Sequence, residues 1–286
     1  MDYSNKYYKY KLKYLKLIGL GLGSGSDRLE GGAKPKPKPK SQPNPDFQPK
    51  QIYFIRHGQS IYNQLGKTQG AEADIELSED GIQTAHITGK YLHKYRAQDE
   101  QFDCVISSPM IRAKQTAEII AGELGYTKDI LYLDYIKECA KGNLSGLTND
   151  DPLMAQLNKA VKEKLNTMHD PIEKYMTQSV YSQDKFYNSI IESNHIDVLG
   201  VEPSLDLVSK AKQFIDWIEK TKYNKIIVIS HSGFLEVLLK IIFNLNVLPK
   251  GNTSNGNNCT ICYCTYKNNV FNMISPQNSE HLALAL

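Results

Sequence analysis

Two unbroken apolar runs constrain this chain more than any other feature, Ile52-Tyr53-Phe54-Ile55 and Ile226-Ile227-Val228-Ile229. Both are strand-length and lack the polar alternation of a half-exposed strand. Such runs belong to strands buried on both faces, the habit of parallel sheets covered by helices on either side. Each delivers a histidine into a glycine-containing segment, Arg56-His57-Gly58 after the first and Ser230-His231-Ser232-Gly233 after the second. Ligands of open α/β sheets bind outside the carboxyl ends of strands, so both histidines stand where a site would form, with the glycine allowing a tight turn. One strand ending in a polar pair carries no chemistry by itself. Two, each with glycine within two residues of the histidine, are hard to assign to packing alone.

Strand and helix signals alternate around these runs, which predicts an α/β fold: a mostly parallel sheet covered by helices on both faces. Strands are expected over 51–55, 103–107, 130–133 and 225–230. Helices are expected over 79–96 with Ser78 as N-cap, over 110–124 with Ser108 as N-cap and Pro109 in the first turn, over 205–221 with Ser204 as N-cap, and over 233–244. Two late strands, near 259–266 and 269–274, flank Lys267-Asn268-Asn269 and read as a hairpin or meander. Residues 149–202 break the alternation, are polar and tyrosine-rich, and read as an inserted helical subdomain.

A chain of 286 residues that is 41% hydrophobic can bury a full core. It contains no run of eighteen apolar residues, and a soluble, cytoplasmic protein is expected. Five cysteines match no even disulfide framework and fit a reducing compartment. Cys259-x-x-Cys262-x-Cys264 lacks a second ligand pair, so a strand carrying cysteines is the better reading than a zinc site.

Residues 1–50 carry ten Lys and one Arg against three Asp and one Glu, so they hold +7 of a net +3 and the other 236 residues sum to −4. The core therefore lacks the overall basic charge expected of a nucleic-acid binder, and any anion site must be local. Residues 1–49 read as a largely disordered basic leader. The Tyr/Lys-rich stretch 3–18 could form an amphipathic helix able to touch a membrane surface or another partner, Gly19 to Gly32 is a flexible linker, and Lys34 to Lys40 is a Lys-Pro spacer. The folded domain is expected to span 50–286.

Between the two histidine junctions lies a third strand-to-helix junction, Ser107-Ser108-Pro109-Met110-Ile111-Arg112. It puts Arg112 in a first helical turn, where free N–H groups and the dipole favour a bound phosphate; a solvated surface arginine is the alternative.

With these residues in view, the chain closely resembles the histidine phosphatase superfamily, also called phosphoglycerate mutase-like, over most of 51–286. Arg56-His57-Gly58-Gln59-Ser60 with Asn63 matches its R-H-G-[EQ]-S-x-x-N signature, and Asp74-x-x-Leu77-Ser78-x-x-Gly81 the segment that follows. Ser107-Ser108-Pro109 through Arg112-Ala113 and Gln115-Thr116-Ala117 matches a second motif. Glu138-x-x-x-Gly142-x-Leu144-x-Gly146-Leu147-Thr148 matches the loop that carries an acid, and Ser230-His231 the second histidine. Asn258-Cys259-Thr260-Ile261 and His281-Leu282 resemble the closing strand and tail. Several ordered motifs are far more specific than one.

The resemblance implies phosphoryl transfer through a covalent phosphohistidine, with no metal and no cofactor. His57 would be the nucleophile, Arg56, Arg112 and His231 would clamp the phosphoryl oxygens, Asn63 would add a donor, and Glu138 would act as general acid and then base. The residue types suit that chemistry, since a neutral imidazole is a nucleophile near pH 7 and phosphoryl transfer needs fixed cationic donors.

Hydrolysis of a small-molecule phosphomonoester is favoured over mutase chemistry. Mutases of the family follow the acid with Arg-His-Tyr, where this chain has Cys139-Ala140-Lys141, and their lysine-bearing stretch is replaced by Thr148-Asn149-Asp150-Asp151-Pro152. The phosphatases' Gly-Glu-Ser and later arginine are only partly matched by Val201-Glu202-Pro203-Ser204 and Lys210. With five Lys, no Arg and nine acidic residues, 149–202 offers poor walls for a polyphosphorylated substrate, and Tyr175, Tyr181 and Tyr187 are available to line a lid. Three other readings stay open: a bisphosphate-primed mutase, a phosphate-binding pseudoenzyme, and a metal site of His57, His231 and Glu138. The arginines would repel a metal cation.

Overall fold

The computed structural model describes residues 48–97, 101–170, 177, 183–244 and 258–283. The leader expected over 1–49 therefore lies outside the described residues as far as 47, as do Tyr175 and Tyr181. Six strands form one sheet: β1 (Lys50–Arg56), β2 (Cys104–Ser107), β3 (Leu131–Tyr132), β4 (Lys225–Ser230), β5 (Ile261–Lys267) and β6 (Val270–Asn278), in the order β3-β2-β4-β1-β5-β6. The four strands from β3 to β1 are parallel, and β5 and β6 are antiparallel. The late pair is a hairpin. Its turn, Asn268-Asn269, has φ of 53° and 63°, the left-handed pair of a two-residue turn whose twist matches the flanking strands.

The apolar runs behave as their lack of alternation implies, because successive residues feed two different cores. Ile52, Phe54, Ile226 and Val228 pack on one face with Phe214, Ile218, Leu235 and Leu238. Tyr53, Ile55, Ile227 and Ile229 pack on the other with Leu92, Ala113, Ala117 and Ile120. Burying each large side chain contributes roughly 1.5–3 kcal/mol, so both sheet faces must be covered for the strands to persist.

The described α-helices are α1 (Ile61–Gln64), α2 (Glu79–Arg96), α3 (Ile111–Glu123), α4 (Pro152–Thr167), α5 (Gln183–Ser193), α6 (Ser204–Lys220), α7 (Ser232–Ile242) and α8 (Glu280–Ala283), with short 3-10 turns at Asp134–Ile136 and Gly142–Leu144. Ser78 caps α2 as expected, its hydroxyl accepting from Gly81 N. Two other caps differ. Met110, not Ser108, precedes α3 and makes no side-chain cap. Ser204 is the first residue of α6, and its hydroxyl instead meets Asp184 Oδ1 at 2.6 Å. In 149–202, α4 and α5 share a small core of Leu144, Leu157, Ala160, Ile190 and Ile196. The five cysteines are free and buried. Among the described residues no helix is long and apolar enough to cross a membrane.

Candidate active site

Parallel pairing of β1 with β4 sets Arg56 opposite Ser230, so the residues that follow, His57 and His231, leave the sheet side by side. Their ring centroids are 5.1 Å apart. Arg112 reaches the same place from the start of α3, and Glu138 from the irregular loop after β3. The side chains are deeply buried: His57 is 3% exposed, His231 0%, Arg112 1% and Glu138 5%.

His57 Nδ1 lies 2.6 Å from the carbonyl oxygen of Gly58. A carbonyl only accepts, so Nδ1 carries the proton and Nε2 keeps its lone pair. Burial, then Arg112, then Arg56 hold the imidazole pKa well below its ordinary value, which leaves the ring neutral at pH 7. Gly58 was expected to open a tight turn through backbone freedom. Its φ is not positive; its lack of a side chain serves close packing, since a Cβ there would meet the Gly81 carbonyl oxygen at 2.6 Å. Gly58 N–H donates to Thr116 Oγ1 at 2.9 Å, tying this loop to α3.

His231 is held neutral for the same reasons, burial first, then Arg112, His57 and Arg56. Its Nε2 lies 2.8 Å from Ser108 Oγ, whose oxygen also accepts from Met110 N–H at 3.4 Å. That contact fixes the ring and leaves Nδ1, a buried nitrogen, with no partner among the described residues. The serine expected to cap α3 thus orients the second histidine.

Arg112 donates from Nη1 to Ala73 O at 2.9 Å, and its Nε has no partner among the described residues. Burial lowers its pKa to about 10, against the pull of Glu138 and Asp74, so it stays charged. Arg56, partly buried, is likewise lowered by burial and supported by Glu138. Two guanidinium groups and two neutral imidazoles gather around the Glu138 carboxylate in a poorly solvated place, where the donors of Arg112 cost least when they face an anion. Asp74 Oδ1 accepts from Ile111 N–H at 2.7 Å and so fixes the start of α3.

Both oxygens of Glu138 accept from backbone donors, Oε1 from Cys139 N–H at 2.9 Å and Oε2 from Gly233 N–H at 3.0 Å. Beside it, burial pushes the Cys139 thiol up to about 12. Burial also opposes the Lys141 ammonium, but Cys139 and Glu138 more than offset this and keep it charged. Asn63 Oδ1 is engaged by Ser60 N–H at 3.2 Å and by Asn258 Nδ2 at 3.2 Å, leaving its own Nδ2 as the end able to serve a ligand.

The sequence reading missed Gln69. Its Oε1 accepts from Ser60 Oγ at 2.7 Å while its buried Nε2 has no partner among the described residues. Only its position in a Gln-Gly pair soon after the first motif could have drawn attention to it. Elsewhere, His86 and His93 are exposed on α2, and His169 and His195 are exposed. Among the described residues no group of three or more His, Cys, Asp and Glu is placed to hold a metal ion.

At the carboxyl ends of the parallel strands, two neutral histidines, two guanidinium groups and the Glu138 carboxylate gather in one buried cluster, a set of groups suited to an anion. Residues 52–182 match the family model described as histidine phosphatase superfamily (branch 1). The chain is 28% identical over 204 residues to a 2,3-bisphosphoglycerate-dependent phosphoglycerate mutase of Buchnera aphidicola, covering 68% of this chain and 84% of the relative. Its fold matches a phosphoglycerate mutase of Bacillus anthracis with a TM-score of 0.63, at 21% identity over 83% of this chain and 97% of the other. It also matches a phosphoserine phosphatase of Entamoeba histolytica with a TM-score of 0.54, at 22% identity over 81% and 98%. Over the matched residues the chain is similar to the histidine phosphatase superfamily, and these likenesses indicate an enzyme.

Proposed function

We propose that the protein is a metal-independent phosphomonoester hydrolase acting through a covalent phosphohistidine on His57. The observation that carries this reading is the Nδ1 contact of His57 with Gly58 O at 2.6 Å, which frees Nε2 as a lone-pair nucleophile next to two guanidinium groups. Nε2 attacks phosphorus and the ester P–O bond breaks. Glu138, which first takes up the proton of the substrate monoanion, passes it to the leaving oxygen. In the second step the Glu138 carboxylate takes a proton from water, the resulting hydroxide attacks phosphorus, the P–N bond breaks and phosphate leaves. Arg56, Arg112, Nδ1–H of His231 and the amide of Asn63 hold the phosphoryl oxygens, with the amide of Gln69 as a further donor.

Hydrolysis is preferred to mutase transfer because Cys139-Ala140-Lys141 stands where mutases of the family carry Arg-His-Tyr. The charged Lys141 beside Glu138 suits a leaving group with its own negative charge, such as a phosphorylated acid. Mutase transfer is the second reading, supported by the name of the Buchnera relative. Phosphate release from p-nitrophenyl phosphate in EDTA, together with acid-labile ³²P on the wild type and its absence in His57→Ala, tests the mechanism. An active His57→Ala would refute it, as would activity abolished by EDTA and restored by zinc. Supplying 3-phosphoglycerate with its bisphosphate primer separates the two reactions: 2-phosphoglycerate forming faster than free phosphate would favour the mutase.

A further inference from the structure

We infer that Glu202 and Lys210 form a clamp that positions Glu138 for proton transfer, an inference that rests on the reading of Glu138 as the general acid. Glu138 sits on a loop with no helix or strand of its own between the short turns Asp134–Ile136 and Gly142–Leu144. A proton donor must nevertheless be held to a fraction of an ångström. Residue 202 supplies much of that restraint. Its N–H donates to Ala140 O at 3.0 Å, and its carboxylate Oε2 accepts from Ala140 N–H at 3.1 Å, so one residue grips both polar groups of Ala140, two positions from the acid. Lys141 pairs with Val201 in the same patch, and Cys139 O accepts from Ala71 N–H at 3.1 Å.

The second Glu202 oxygen, Oε1, lies 2.5 Å from Lys210 Nζ, with side chains 12% and 31% exposed. Lys210 stands on α6, which the core holds through Leu207, Phe214 and Ile218. The ion pair therefore couples a core-packed helix to the irregular loop. A largely buried carboxylate without its cation would no longer be held at Ala140. Glu202 and Lys210 touch no reacting atom; they are positioning residues.

Two aryl esters of similar shape separate positioning from general damage. Phenyl phosphate expels a phenolate whose pKa of about 10 calls for a proton donor, whereas 2,4-dinitrophenyl phosphate expels a stable anion that does not. With kcat/KM as the readout, which ends at phosphoenzyme formation, Glu202→Gln and Lys210→Met are each expected to lose about 10–100-fold on phenyl phosphate. On the dinitrophenyl ester both should stay within about twofold of wild type, because no proton is needed there. The double variant should be no worse than the poorer single one, since the pair acts as a unit, and Lys210→Arg should restore activity. Equal losses on both esters in correctly folded variants would overturn the inference and leave the clamp merely structural, as would no loss on either. A wild type inactive on both esters would instead overturn the hydrolase reading, and this inference with it.

Discussion

Glu138 and Gly233 are joined by a 3.0 Å hydrogen bond from the glycine N–H to the carboxylate, which ties the acid-bearing loop to the first turn of α7. The approach depends on the missing side chain, for a Cβ on residue 233 would lie 2.3 Å from Glu138 Oε1 and 3.3 Å from Cys139 Sγ. The φ of Gly233 is not positive, so alanine there is compatible with the helix but not with the carboxylate. Gly233→Ala is expected to keep the fold and to lower kcat/KM for phenyl phosphate by about 10–100-fold. Wild-type kinetics in that variant would show that the position of Glu138 is not critical.

Ser108 and His231 make a second such pair. Ser108→Ala removes the one partner that His231 Nε2 has among the described residues and is expected to cost about 1–3 kcal/mol of stability. It also frees the ring to exchange tautomers. Nitrogen-15 NMR should show the wild-type His231 proton on Nδ1 and a mixture in the variant; a wild type protonated on Nε2 would contradict the donor role proposed for Nδ1–H.

Arg112 is the leading charged neighbour that disfavours imidazolium at both histidines, second only to burial. Removing its charge should therefore raise both pKa values toward the ordinary 6.5 without reaching it. Proton NMR titration of Arg112→Met against wild type reads this directly, and unchanged titrations would rule out the electrostatic account. Affinity for inorganic phosphate should fall about 10–100-fold with the lost charged hydrogen bonds.

Stability should respond to pH through the same groups. His57 and His231 sit well below 6.5 in the folded state, and burial lowers His281 to about 4. Between the folded value and the unfolded 6.5, the unfolded chain binds protons that the folded chain refuses. Stability is thus complete above about pH 6.5 and is lost as the pH falls through that window. His281 Nε2 bonds Thr88 Oγ1 at 3.0 Å, a contact that a glutamine amide can replace. Urea midpoints at pH 7 and pH 5 should show His281→Gln losing less on acidification than wild type, by about 2 kcal/mol at most; an identical loss would exclude His281 as a contributor.

The sheet was legible because its signal is local. The runs at 52–55 and 226–229 have no polar face, and that pattern alone demands cover on both sides. Strand-end histidines, the Arg112 junction and the acid-bearing loop were legible as motifs for a related reason, since each is a short contiguous string. Less visible were contacts between distant segments. Ser108 carries every local mark of a helix cap and instead orients His231. The reason for Gly58 is Gly81, and nothing near Glu202 in the chain announces Ala140.

By itself, the sequence determined which segments become buried strands and helices, and which residue types end them, because hydropathy period and capping chemistry act over a few neighbouring residues. Only the tertiary structure decided that β4 lies between β2 and β1, bringing His57 beside His231 and both within the field of Arg112. Their neutrality at pH 7 follows from desolvation and Coulomb repulsion, which depend on distance through space and not on separation along the chain.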